Sequence, residues 1–257
     1  MTPNRLAAEL SAEFIGTLVL ILFGTGVVAM VVLFGSGTPG EIVHGGFTNI
    51  TLAWGLAVAM GVYVAAKISG AHLNPAVTLT LAVFRGFAWR KVVPYVLAQT
   101  AGAFCAAAIV YWNYRPAFLR LDPTLERTQG VFVTLPAFPQ FPVAGFLDQV
   151  IGTALLLLLI LAVTDDRNVA PPANLVPIVI GLVVVVIGMS FGGMHGYAIN
   201  PARDFGPRLF TVLAGFRNNG LTDGSMIFLV PIFGPLLGGL VGAAVYDVGI
   251  RRYLPKQ

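Results

Sequence analysis

The stretch SGAHLNPAVT, residues Ser69–Thr78, recurs as a near copy, HGYAINPARD, at His195–Asp204. Both stretches carry the tripeptide Asn-Pro-Ala and lie between long apolar runs. Asn is a favoured N-cap residue, and Pro suits the first helical position because it has no N–H to lose there. Each copy therefore predicts a helix that begins within apolar sequence. The two motifs consist of Asn74, Pro75, Ala76, Asn200, Pro201 and Ala202.

The composition of the chain excludes an ordinary soluble domain. Of its 257 residues, 57% are hydrophobic and only 10% are charged, whereas a soluble domain carries about 25% charged residues. A chain with so little polar surface belongs in a lipid bilayer. The net charge of +4 is spread out, without the basic run that would indicate nucleic-acid binding. We therefore expect an all-α membrane protein with no nucleic-acid partner.

Six apolar runs are candidates for membrane spans, each of which needs about 20 apolar residues. They are Phe14–Gly40, Gly45–Ala66, Val92–Tyr114, Val143–Thr164, Leu175–Met189 and Gly224–Tyr246. Six spans place both termini on one side of the membrane. Lys and Arg are more frequent on the side of the termini than on the other side, and this bias predicts that both termini are cytoplasmic.

Two apolar segments remain, Ile68–Phe84 and Phe191–Val212, and each contains one Asn-Pro-Ala. From Pro75 to the end of the first segment a helix would measure about 15 Å, half of a hydrocarbon core of about 30 Å. We expect two re-entrant half-helices that come from opposite faces and meet near the middle. On the second, Asp204 and Arg208 are four residues apart and are expected to pair.

The two halves of the chain look like an inverted repeat. EFIGT (Glu13–Thr17) opens the first span, and QVIGT (Gln149–Thr153) opens the fourth. Each half holds three spans and one half-helix, so the second half must be inserted upside down. The sequence predicts a single transmembrane channel domain over residues 1–257, with repeats at about 1–120 and 140–257.

The residues before each asparagine predict the lining of a pore. GAHL and GYAI would run as non-helical backbone, which is tolerated at membrane depth where it lines a wet cavity. Their carbonyl groups would form a ladder of acceptors, contributed by Gly70, Ala71, His72, Leu73, Gly196, Tyr197, Ala198 and Ile199. The asparagine NH₂ groups would point at a passing solute, and two positive half-helix ends would repel cations and protons.

These motifs resemble the major intrinsic protein (aquaporin) family, and within it the aquaglyceroporin branch of the bacterial glycerol facilitators. The resemblance is carried by SGAHLNPAVT, GYAINPARDFGPRLF, AEFIGT, QTAGAFCAAAIVY and VPIFGP. It implies an aquaporin-like fold of six transmembrane helices plus two re-entrant half-helices in an inverted repeat. It also implies a homotetramer in the cell (inner) membrane, with one pore per subunit and no cofactor.

The same resemblance implies a selectivity filter of Trp54, Gly188, Tyr197 and Arg203. An arginine in hydrocarbon costs roughly 2.5–3.5 kcal/mol, so Arg203 is expected to be wet or paired. Water-selective relatives tend to have histidine where this chain has Gly188, and we expect its missing side chain to widen the pore. Aromatic rings could face the carbons of glycerol while Arg203 and the carbonyl groups bind its hydroxyls.

Two departures from the family pattern stand out. Glu13 is the usual brace of the first loop, but the repeat-related position holds Gln149, which lacks the charge. Asp148 points about 100° away on a helix and is expected to be a poor substitute. Lys67 at the inner mouth is unusual, and is expected either to snorkel or to slow cationic solutes.

The resulting function hypothesis is a passive channel for glycerol, small polyols, urea and water that excludes ions and protons. A water-selective aquaporin is the first alternative. A secondary transporter is a second, because inverted repeats and broken helices occur there too, although the motif groups are neutral asparagines. No nucleophile–base set indicates an enzyme, and no ligand spacing indicates a metal site.

Overall fold

A computed structural model of the chain describes residues 5–35 and 45–255. Within these ranges the chain is helical and contains no strand, as the all-α prediction requires. The helices are α1 (Arg5–Phe34), α2 (Phe47–Ser69), α3 (Pro75–Phe84), α4 (Trp89–Leu121), α5 (Pro142–Thr164), α6 (Val176–Phe191), α7 (Pro201–Ala214) and α8 (Val230–Gly249). The end of the first predicted span, residues 36–40, lies outside the described residues.

Five of the described helices are long and apolar enough to cross a membrane, namely α1, α2, α4, α5 and α8 with its flanking turns. Helix α6 occupies the predicted fifth span but has 16 residues, about 24 Å, so it is shorter than the hydrocarbon core of about 30 Å. It begins with a proline in its first turn and ends at Phe191, and the loop to α7 starts at Gly192. The half-helices α3 and α7 have 10 and 14 residues.

Helix packing follows the pattern of an inverted repeat. In the first half α1 packs on α2 and α4, and in the second half α5 packs on α6 and α8. The half-helices cross over, because α3 packs mainly on α8 and α7 mainly on α4. Each half-helix is therefore held by the last helix of the other half, and the two meet inside the bundle.

A pair of glycines lets α2 and α6 approach each other closely. A Cβ atom built on Gly55 of α2 would lie 2.5 Å from the carbonyl oxygen of Gly181 on α6, and the reverse distance is also 2.5 Å. Such small residues let helices approach closely in membranes. This crossing joins the short helix α6 to the first half of the chain.

Helix α4 extends beyond its predicted end at Tyr114 and includes Pro116. The extension persists because Phe118 is fully buried. Its ring lies 5.6 Å from that of Phe132 and 5.9 Å from that of Phe216. Aromatic packing thus outweighs a helix-breaking residue, and it anchors the α4–α5 connection to the end of the bundle.

Candidate functional site

Both half-helices begin at the asparagines of the repeated motif. The side-chain oxygen of Asn74 accepts the backbone N–H of Ala76 at 2.8 Å. The oxygen of Asn200 accepts those of Ala202 at 3.0 Å and Arg203 at 3.2 Å. The predicted N-caps are therefore present, with proline as the first helical residue in each case.

The two asparagines also brace each other's loop. Asn74 Nδ2 donates to the carbonyl of Ile199 at 2.9 Å, and Asn200 Nδ2 donates to the carbonyl of Leu73 at 2.8 Å. Each acceptor is the residue just before the other asparagine. We expected each NH₂ group to point at a passing solute. In the structure one N–H of each fixes the opposite loop, which leaves one N–H per asparagine for a solute.

A cavity of about 820 Å³ runs along these loops and both asparagines. Its polar wall consists of Gly70, Ala71, His72, Leu73, Asn74, Tyr197, Ala198 and Ile199, together with Asn200. Much of the remaining wall is aliphatic, formed by Leu20, Val58, Val62, Leu156, Ile160, Ile180 and Val184. Gly196, from which a carbonyl was also expected, is not among the residues of this wall. A Cβ built on it would lie 3.1 Å from the methyl carbon of Thr134.

The backbone of both loops has positive φ angles at residues other than glycine, a conformation that such residues rarely adopt. The φ angles of Ala71 and Leu73 are 50° and 52°, and those of Tyr197 and Ile199 are 33° and 43°. Non-glycine residues with positive φ are strained and persist only when their surroundings hold them. Both loops therefore need strong braces.

Glu13 of α1 holds the first loop with both carboxylate oxygens. Oε1 accepts the hydroxyl of Ser69 at 2.6 Å and the N–H of His72 at 2.9 Å. Oε2 accepts the N–H of Leu73 at 2.7 Å and the side-chain amide of Gln99 at 2.8 Å. Four donors converge on one buried carboxylate, so both of its oxygens are satisfied by hydrogen bonds.

The second loop is held by two residues. Gln149 accepts the N–H of Ile199 at 3.0 Å and donates to the carbonyl of His195 at 3.1 Å. Asp148 accepts the N–H of His195 at 3.2 Å. The expectation that Asp148 points away was wrong, because the turn at His195 bends back over the start of α5 and brings its N–H within reach.

The two brace residues are not interchangeable, which gives a first prediction. Glu13→Gln would turn an NH₂ group toward N–H donors, and Gln149→Glu would set a carboxylate against the His195 carbonyl. Each change is expected to cost about 1–3 kcal/mol, the penalty of an unsatisfied buried polar group. Both variants should show lower apparent melting temperatures in detergent. The exposed Gln140→Glu serves as the charge-matched control, and wild-type stability in either brace variant would contradict the assignment.

Arg203 lies against an aromatic wall and is almost completely buried. Its guanidinium carbon is 4.2 Å from the centroid of the Trp54 ring, a cation–π geometry. Its Nη1 donates to the carbonyl of Phe132 at 3.3 Å. On α1, Gly24 makes room for the indole, because a built Cβ there would overlap the ring. The paired environment expected for this arginine is thus an indole face and a loop carbonyl.

Gly188 lies behind Tyr197. A Cβ built on Gly188 would be 2.9 Å from Cε2 and Cζ of the Tyr197 ring and 2.9 Å from the methyl group of Thr51. Tyr197 lines the cavity, whereas Gly188 is not part of its wall. We expected the missing side chain to leave an open gap that widens the pore. Instead, the Tyr197 ring occupies the space into which a side chain at position 188 would project.

The α4–α5 connection is fastened to α7 by a buried ion pair. Arg208 Nε lies 2.7 Å from Asp204 Oδ1, which confirms the predicted pair, and both side chains are at most 1% exposed. Asp204 Oδ2 accepts the N–H and hydroxyl of Thr134 at 2.8 and 2.7 Å, and Arg208 Nη2 donates to the Thr134 carbonyl at 2.8 Å. Two residues before Thr134, Phe132 offers its carbonyl to Arg203.

The same connection is ordered at its start by Asp122. Its carboxylate accepts the backbone N–H groups of Glu126, Arg127 and Thr128 at 2.7–3.1 Å. Burial acts to raise the pKa of Asp122, but these hydrogen bonds outweigh burial and hold the pKa below its ordinary value. The carboxylate therefore stays ionised at neutral pH and keeps the turn closed.

The charges around the cavity are few and of one sign. Among the described residues that line it, Lys67 and Arg203 are the charged ones, and no carboxylate joins them. Residues 5–35 and 45–255 also contain no group of three His, Cys, Asp or Glu side chains that could hold a metal ion. The wall is thus suited to bind hydroxyl groups and to disfavour cations.

A helical bundle in which two half-helices meet beside a continuous cavity defines a multi-pass membrane channel. The chain belongs to the major intrinsic protein family, because the sequence model of that family, described as "Major intrinsic protein", matches residues 2–246.

Individual relatives agree with this family membership. The chain is 45% identical to the glycerol uptake facilitator protein of Pseudomonas aeruginosa, over 99% of this chain and 92% of that protein. It is 44% identical to the protein of the same name from Escherichia coli, over 98% and 91%. Among solved structures, the aquaglyceroporin from Plasmodium falciparum superposes with a TM-score of 0.82 at 34% identity, covering 94% of this chain and 96% of that one.

Proposed function

We propose that the protein is a passive channel for glycerol and other small neutral solutes, that it also passes water, and that it excludes ions and protons. The observation that carries the proposal is the two-sided cavity wall. One side offers carbonyl groups, the Asn74 and Asn200 amides and the Arg203 guanidinium, and much of the rest is aliphatic. Glycerol has hydroxyls and C–H surface, and a narrow pore must satisfy both.

The relatives support the same solute class. Two proteins that match nearly the whole chain at 44–45% identity are named glycerol uptake facilitators, and a solved structure at 34% identity is named an aquaglyceroporin. We extend the solute range to small polyols and urea because the cavity binds through carbonyl and amide groups that suit any small neutral hydrogen-bonding molecule. The protein would act without a cofactor and would catalyse no reaction.

The proposal includes an assembly and an orientation. We infer a homotetramer in the inner membrane with cytoplasmic termini, as the family resemblance and the distribution of Lys and Arg imply. One channel domain would extend over residues 1–257, with one pore per subunit, because a single chain supplies the polar loops, both asparagines and Arg203.

Stopped-flow light scattering on proteoliposomes tests the function. We expect water and glycerol fluxes well above those of empty liposomes, linear in the solute gradient and independent of Na⁺ or proton gradients. High water flux without glycerol flux would instead support the water-selective alternative. Saturable glycerol flux that needs an ion gradient would support a secondary transporter and overturn the proposal.

Gly188→Ala tests the account of the constriction. The new Cβ would lie 2.9 Å from the Tyr197 ring, a distance that forces the ring to move. Because Tyr197 lines the cavity, we expect the ring to move into the cavity and to narrow it. We expect the glycerol-to-water permeability ratio to fall, since water needs less width, and Gly188→His to lower it further. Gly193→Ala is the matched control, because a Cβ there meets nothing within 4 Å.

The measurement requires equal amounts of folded protein in the liposomes for every variant. If Gly188→Ala folds normally and keeps its glycerol-to-water ratio, the Tyr197 ring does not define the width of the pore. If the Gly193 control shows the same fall, the effect belongs to the loop as a whole.

A further inference from the structure

The end of the cavity remote from Arg203 has a chemistry of its own. Lys67 lies in the last turn of α2, about 20 Å along the helix from Trp54 at 1.5 Å per residue. Tyr63 lies one turn before Lys67 on α2 and donates to the carbonyl of Asn174. Both residues line the cavity, as does Thr164 at the end of α5. We call these four residues, Tyr63, Lys67, Thr164 and Asn174, the inner mouth.

Lys67 differs from its neighbours in lacking an acidic partner. Within the described part of the chain no carboxylate lies within ion-pair distance of it, and it is exposed. By contrast, Lys91 contacts Glu9 at 2.6 Å, and Arg85 contacts Asp247 at 2.6 Å. The Lys67 ammonium is therefore an uncompensated positive charge on the wall of a cavity.

Other features of the cavity add to this positive field. Among its described lining residues, the second charged side chain is Arg203, also a cation. The N-termini of α3 and α7, which carry partial positive charge, begin at Asn74 and Asn200 on the same wall. A small anion on this wall meets two cations and, among the described lining residues, no carboxylate. Asp165 and Asp166 belong to an adjoining pocket that shares Thr164 with the cavity.

The inner mouth also offers acceptors for hydroxyl groups. The Tyr63 hydroxyl donates to the Asn174 carbonyl at 2.9 Å, and the Thr164 hydroxyl donates to the Ile160 carbonyl at 2.7 Å. Each hydroxyl oxygen thus keeps its lone pairs for a donor from a ligand. One cation and two such oxygens on the wall of the same cavity suit a molecule with an anionic group and neighbouring hydroxyls.

The cavity has room for a ligand that does not pass through. Its volume of about 820 Å³ corresponds to roughly 27 water molecules at about 30 Å³ each. An anion held at the inner mouth would have to lose its hydration to move further. This loss is costly where much of the cavity wall is aliphatic. It would stay at the mouth and obstruct neutral solutes.

We propose that the inner mouth binds small hydroxylated anions, of the class of polyol monophosphates, and that a bound anion obstructs the channel from the Lys67 side. The inference rests on the proposed channel function and adds a ligand to it. The ammonium of Lys67 pairs with the anionic group, and the hydroxyls of Tyr63 and Thr164 accept hydrogen bonds from the ligand.

The test measures glycerol efflux from right-side-out vesicles with glycerol 2-phosphate or inorganic phosphate sealed inside or added outside. We expect glycerol 2-phosphate to slow the flux from the Lys67 side alone, more strongly than inorganic phosphate, and less at high salt. Lys67→Met should raise the half-inhibiting concentration about fivefold, as for one partly exposed ion pair. Arg90→Met is the matched control, since it removes an exposed cation from the start of α4, outside the cavity wall.

The outcomes separate the two proposals. Glycerol flux without inhibition by either anion overturns the inner-mouth site and leaves the channel function intact. The inner-mouth site is also contradicted if the Lys67 and Arg90 variants lose inhibition equally, or if neither variant loses inhibition. In both cases Lys67 would be only a charge at a helix end. Absence of glycerol flux in the anion-free wild type would contradict the channel function itself.

Discussion

Replacing Asp204 by asparagine is expected to lower the free energy of unfolding by about 3–5 kcal/mol, the usual cost of removing one partner from a buried ion pair. Arg208 is fully buried, and Asp204 Oδ1 lies 2.7 Å from its Nε. The variant would leave the guanidinium uncompensated, with carbonyl contacts to Thr134 and Asn219 only. Denaturant unfolding in mixed micelles and the apparent melting temperature of the purified protein provide the measurement.

An exposed ion pair between the α4–α5 connection and the α7–α8 connection serves as the control. Arg217 and Glu126 are 3.0 Å apart with side chains 70% and 41% exposed, so Glu126→Gln should cost no more than about 1 kcal/mol. Similar losses in the two variants would show that Asp204 is not a buried anchor. The Asp204 variant should also pass less glycerol per folded channel, because Thr134 would release the loop that presents the Phe132 carbonyl to Arg203.

Asn74→Asp and Asn200→Asp are expected to have the second large effect. Each change removes the NH₂ that donates to the opposite loop at 2.9 or 2.8 Å and sets a carboxylate against a carbonyl oxygen. An aspartate at the centre of a membrane helix costs about 2.5–3.5 kcal/mol. We expect little folded protein, or a glycerol flux per folded channel reduced at least about tenfold, the equivalent of about 1.4 kcal/mol in a barrier.

Flux must be normalised to folded protein for this comparison. Asn218→Asp, in an exposed connection, introduces the same charge away from the cavity and should leave the flux unchanged. Normal yield and normal glycerol flux in both motif variants would refute the role assigned to the asparagine pair.

Local signals in the sequence were strong enough to predict, to the residue, where the half-helices begin. An N-cap asparagine followed by proline fixes where α3 and α7 begin, because both residues act within one turn. The six-span pattern was less accurate. Hydropathy places α6, whose end at Phe191 lies two residues beyond the predicted Met189. It misses the extension of α4, which depends on packing of Phe118 against rings distant in the sequence.

The residues of the site fall into the same two groups, those predicted from the sequence and those whose contacts depend on the three-dimensional fold. Glu13 as a brace followed from the family pattern, and the Asp204–Arg208 pair followed from spacing on one helix. Asp148 was misjudged because its contact depends on how the loop turns at His195. Thr134 was missed because nothing local distinguishes it within the α4–α5 connection. The filling of the Gly188 gap by Tyr197 is likewise a three-dimensional fact, since the two residues belong to different elements.

The reciprocal asparagine contacts also constrain when the pore can form during biosynthesis. Asn74 and its acceptor are 125 residues apart, and Asn200 and its acceptor are 127 apart, so neither bond can close before the second half of the chain is made and inserted. Contacts of such sequence separation must overcome loop-closure entropy and tend to form late. An N-terminal half alone would hold α3 without its partner and a strained loop with one brace missing. The centre of the channel is therefore expected to be the last part of the protein to mature.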